Sequence, residues 1–119
     1  LFLASGGNAK KRDGDGRLQL APPAADGQPE SYRYDPLELP SMEGVDWSDT
    51  SGARVTSDRS EDPDTESDLD FLSPPLAAPC EIVGPLEVVL WVSSDAADTD
   101  FSAGLYRVTP DGKRYAIRG

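Results

Sequence analysis

Every apolar stretch in this chain is short, and each stops at proline, glycine or a cluster of small polar residues. Leu1-Phe2-Leu3 ends at Ser5-Gly6-Gly7-Asn8, and Arg17-Leu18-Gln19-Leu20 ends at Pro22-Pro23. Ser31-Tyr32-Arg33-Tyr34 ends at Asp35-Pro36, Asp70-Phe71-Leu72-Ser73 at Pro74-Pro75, and Cys80-Glu81-Ile82-Val83 at Gly84-Pro85. Proline cannot continue a ladder and restricts the residue before it, and glycine supplies turn conformations. No segment sustains a 3.6-residue period, so short strands joined by tight turns are predicted throughout: an all-β, antiparallel sandwich or barrel.

Two segments carry the strongest strand signals. Leu86 to Ser93 (Leu-Glu-Val-Val-Leu-Trp-Val-Ser) is almost continuously β-branched or aromatic, which predicts a central strand covered on both faces. Asp100 to Thr109 alternates, Pro110-Asp111-Gly112 reads as a tight turn, and Lys113 to Ile117 returns antiparallel, which together predict a hairpin. Asp13-Gly14-Asp15-Gly16 is a turn by composition, with both glycines expected to accept positive φ.

With 119 residues, 11 Pro and 11 Gly, the chain suits one domain with much loop, read here as a single β-sandwich over residues 1–119. Residues 40–68 have no period and read as a long, solvated acidic loop in which Trp47 tucks into a groove of its own domain. Residues 41–70 hold ten acids against Arg54 and Arg59, and so carry −8 of the net −11. That balance repels phosphate backbones and anionic lipid, so nucleic acid and membrane insertion are not expected. The apolar start is too short for a signal peptide or a span. Lacking an initiator Met and beginning inside a strand, the chain reads as a fragment of a larger one, and its compartment and oligomeric state are not readable.

The chemistry is bounded by what is missing. There is no histidine, which excludes Ser-His-Asp and Cys-His arrangements and histidine metal sites within this chain. Cys80 is the only cysteine, so no internal disulfide or cysteine cluster can form. No Gly-x-Ser-x-Gly elbow, phosphate loop or dinucleotide fingerprint occurs. The acids sit where water keeps them ionised, which argues against a glycosidase pair. Two groups were weighed for calcium, Asp58-Arg59-Ser60-Glu61-Asp62 and Asp95, Asp98 and Asp100. The first is followed by Pro63 where an EF-hand loop needs glycine, and the second reads as turn-capping. No catalytic, cofactor-binding or metal residue is therefore assigned, and no cofactor is expected.

Several stretches in order resemble one family. They are Leu1-Phe2-Leu3-Ala4-Ser5-Gly6-Gly7-Asn8-Ala9, Gly14-Asp15-Gly16-Arg17-Leu18, Tyr32-Arg33-Tyr34-Asp35-Pro36, Leu72-Ser73-Pro74-Pro75-Leu76, Val83-Gly84-Pro85 through Ser94-Asp95, Asp98-Thr99-Asp100-Phe101, and Pro110-Asp111-Gly112-Lys113. Together these resemble the C-terminal domain of the CocE/NonD hydrolases, which include cocaine-esterase-like enzymes and X-prolyl dipeptidyl-peptidases. The chain departs from the family pattern after Asp35-Pro36, where Leu37-Glu38-Leu39-Pro40 and Met42-Glu43-Gly44 stand. The resemblance implies a non-catalytic, galactose-binding-like jelly roll that follows an α/β-hydrolase domain in the parent chain. That domain carries the triad, and the jelly roll packs on it and helps shape its substrate pocket. It also implies further strands beyond Gly119. Two other readings stay open: a free-standing carbohydrate- or calcium-binding sandwich, motivated by Trp47, Trp91 and the acidic loops, and an interaction or assembly module.

Overall fold

The computed structural model describes residues 1–23, 28–35, 37 and 67–117. Every regular element among the described residues is a strand and both sheets are antiparallel, so the described part of the chain is all-β. It divides into two compact units, residues 1–40 with 63–81, and residues 41–62 with 82–119.

In the first unit, β1 (Phe2–Ala4) pairs antiparallel with β2 (Arg17–Gln19), with Leu3 opposite Leu18. A twelve-residue excursion separates them, and it is closed by one side chain. The Asp15 carboxylate accepts hydrogen bonds from the Gly6 amide (3.0 Å, Oδ2) and the Asn8 amide (3.1 Å, Oδ1). The Asp15 amide donates back to the Asn8 carbonyl at 3.1 Å, and the Gly14 amide to the Lys11 carbonyl at 2.9 Å. A carboxylate facing two amides replaces lost hydration with charge-assisted bonds, which fixes the loop without an apolar core beneath it.

The two glycines flanking Asp15 serve a purpose other than the expected one. Among the described residues the left-handed glycines are Gly7, Gly84 and Gly112, and neither Gly14 nor Gly16 is among them. Gly14 and Gly16 are instead places of close backbone approach. A Cβ on Gly14 would run into the Asn8 carbonyl oxygen, and one on Gly16 into the Asp70 carbonyl oxygen and, at 3.0 Å, the Ala9 methyl. That approach lets a third segment join. The Asp70 amide donates to the Ala9 carbonyl (2.7 Å), the Leu72 amide to the Gly16 carbonyl (3.1 Å), and the Leu18 amide to the Leu72 carbonyl (3.1 Å). The strand expected over 70–73 is thereby reduced to a single parallel bridge, Arg17 with Leu72. Ala9, fully enclosed here, is the buried apolar side chain among the described residues, and its amide donates to Glu30 Oε1 at 3.2 Å.

In the second unit, β3 (Leu105–Val108) and β4 (Arg114–Ile117) form the expected hairpin, in register from Leu105–Ile117 to Val108–Arg114. The Gly112 amide donates to the Thr109 carbonyl (2.8 Å), and the Thr109 amide to the Lys113 carbonyl (2.9 Å). The first bond closes a four-residue turn with Pro110 at its first corner, and Gly112 follows at φ 85°, giving the three-residue hairpin loop that Pro-Asp-Gly favours. The facing pair Arg107 and Tyr115 adds a cation–π contact, 5.1 Å from guanidinium to ring centre. Inside the loop the Thr109 hydroxyl donates to Asp111 Oδ1. That bond is the main reason the Asp111 carboxyl lies below its ordinary range, and the Lys113 charge also contributes.

Three other expected strands are not strands in the structure. Residues 31–34, 80–83 and 86–93 have no ladder partner among the described residues. Residues 31–34 instead lead into a turn in which Asp35 Oδ1 accepts from the Leu37 amide at 2.9 Å. The largest correction concerns 86–93, expected to be central and covered: Trp91 is 93% exposed and even Leu90 is 44% exposed. The apolar composition records a demand for cover, and the described residues do not supply it. The expected acidic loop over 40–68 lies almost wholly outside the described residues.

The two kinds of glycine are separable by substitution. Gly112→Ala should cost about 1–2 kcal/mol from left-handed strain, and Gly112→Asn should recover much of it. Gly16→Ala should cost about 1–3 kcal/mol from overpacking, with Gly16→Asn worse still. Urea unfolding midpoints read both, and rescue of Gly16 by asparagine would contradict the close-approach account.

The Asp111 carboxyl, lowered in the fold, stabilises the turn at pH above its unfolded value, and this is lost as pH falls through the lowered one. Thr109→Val should raise the Asp111 pKa toward the ordinary carboxylate value in an NMR titration, whereas an unchanged value would assign the shift elsewhere.

Candidate functional site

Two surfaces hold the side chains that chemistry could use. The first is a shallow cleft in the first unit, lined by Arg12, Asp13, Arg17, Leu72 and Ser73. Arg17 is committed there as a strut: its Nη1 donates to the Gly14 carbonyl (3.1 Å) and the Gly16 carbonyl (2.9 Å), bracing the same turn that Asp15 clips. The Ser73 hydroxyl is spent on the Pro74 carbonyl at 3.0 Å. Neither group is poised as a nucleophile or a free cation, since a nucleophile needs an adjacent base and the chain has no histidine to offer one.

The second surface is the apolar segment of the second unit. Val88, Leu90 and Val92, alternate residues of one extended run, line an open groove with Phe101, Ser102 and Ala103. Val89 and Trp91 take the intervening positions, 65% and 93% exposed. No hydrogen bond joins the backbone of 82–93 to another described residue. The run is therefore apolar on both sides, and its backbone has no ladder partner among the described residues.

The residues weighed for metal or ligand binding are not brought together. Among the described residues no three histidine, cysteine or carboxylate groups converge. Asp95 and Asp98 lie in a bend at 95–98, where the Ala96 amide donates to Ser94 Oγ at 3.0 Å. The group from Asp58 to Asp62, and Trp47, lie outside the described residues. Trp91, read from its strand as a core residue, is instead the most exposed of the large apolar side chains. Cys80 is a free, exposed thiol. No helix among the described residues is long and apolar enough to cross a membrane.

The whole of the sequence, residues 1–119, matches the family described as the X-Pro dipeptidyl-peptidase C-terminal non-catalytic domain. The chain belongs to this family. A curated relative is the cocaine esterase of Rhodococcus sp. (strain MB1 Bresler), 32% identical over 118 residues. The match takes in 98% of this chain and 20% of the esterase, so the chain spans about a fifth of that relative's length. No solved structure matches the chain. The main features of the described residues are the braced turn at Gly14-Asp15-Gly16, the Pro110-Asp111-Gly112 hairpin and the exposed run from Ile82 to Val92. The sequence marks the turn and the hairpin but predicts a covered run at 86–93, and it does not show the Asp15 clip, whose amide partners lie seven and nine residues away, or the Arg17 strut, whose bonds go to backbone carbonyls that any residue carries.

The exposure of the second surface can be measured. In a Trp47→Phe background, Trp91 should be quenched by acrylamide about as readily as free indole, and Cys80 should react with a thiol reagent at the rate of an unhindered cysteine. A protected Trp91 in the isolated chain would mean that its cover comes from within the 119 residues.

Proposed function

We propose that this chain is the accessory β-sandwich domain of a serine hydrolase acting on acyl esters or X-prolyl peptides, without catalytic residues of its own. On this reading residues 1–119 form one domain, a jelly roll of galactose-binding type with the acidic 40–68 stretch as a long loop. It packs on the α/β-hydrolase domain of the same parent chain and helps shape the substrate pocket. The observation that carries the reading is the match of all 119 residues to a domain described as non-catalytic. The small share of the related esterase that the chain spans supports a larger parent, and the missing histidine supports a triad located elsewhere.

The exposed run gives the packing a physical driving force. Burying a side chain such as Leu86, Val88 or Val89 is worth about 1.5–3 kcal/mol. Exposed apolar surface in one contiguous segment marks a site of contact. In the parent, the backbone groups of 82–93 would find their ladder partners and Trp91 its cover.

The parent enzyme tests this directly. Deleting residues 1–119 should abolish or cut severely the hydrolysis of an acyl ester while leaving the catalytic serine in place. A parent without a Gly-x-Ser-x-Gly elbow ahead of Leu1 would overturn the reading. Trp91→Ala in the full-length parent should cost about 3–5 kcal/mol of stability, as for a buried tryptophan. A change of only a few tenths would show that Trp91 stays in water, and would favour the competing reading in which it is a platform for a carbohydrate.

A further inference from the structure

We draw no further inference here: the strongest candidate, the unpaired apolar run at 86–92 with the groove it forms against Phe101, belongs to the surface already described, and nothing in the structure shows which segment or partner covers it.

Discussion

The first unit depends on how closely its backbone segments approach one another at Gly14 and Gly16. Two missing Cβ atoms let the turn lie against the Asn8 and Asp70 carbonyls, and the space is too tight for any side chain. Everything else in that unit uses the approach. Asp15, held between the two glycines, reaches back to the Gly6 and Asn8 amides. Arg17, just beyond them, donates to the carbonyls of Gly14 and Gly16 themselves. The 70–72 segment then docks by three backbone hydrogen bonds, to Ala9, Gly16 and Leu18. Hydrogen bonding rather than apolar burial orders this region, and that is why its buried apolar side chain can be as small as Ala9.

The second unit is organised differently. Its hairpin is locally encoded: Pro110 sets one corner, Gly112 takes the left-handed position, and Thr109 and Asp111 satisfy each other inside the loop. Two strands of four residues form a marginal unit on their own, so the hairpin contributes order without much stability. Next to it lies the most apolar run of the chain, with neither ladder nor cover from the described residues. The exposed N–H and C=O groups of this run are hydrated, so pairing would gain only about 0.5–1.5 kcal/mol per bond, and burial of its apolar side chains would supply the larger part.

The same division explains why the chain is informative about partnership and silent about chemistry. Among the described residues Arg17 and Ser73 are spent on backbone carbonyls, Asp95 and Asp98 join no cluster of metal-ligating groups, and Cys80 is a lone exposed thiol. What remains unspent is strand edge and apolar surface, the currency of domain packing. The chain belongs to a family described as non-catalytic and spans about a fifth of its esterase relative.

The sequence by itself determined the local decisions. Proline and glycine set where the segments stop, Pro-Asp-Gly dictated the hairpin, and the absent histidine removed the triad, because each of these acts within a few residues. Tertiary structure decided which strand-like segments became strands. Leu18 and Tyr106 stand in ladders; Ile82 and Val89 have no ladder partner among the described residues, although their β-propensity is as high. Propensity records how well a residue fits a pleated surface, and only the presence of a neighbouring backbone turns that fit into a ladder. The roles of Gly14 and Gly16 were settled in the same way: composition marked a turn, but only the approach of the Asn8 and Asp70 carbonyls showed that space, and not φ, requires glycine there.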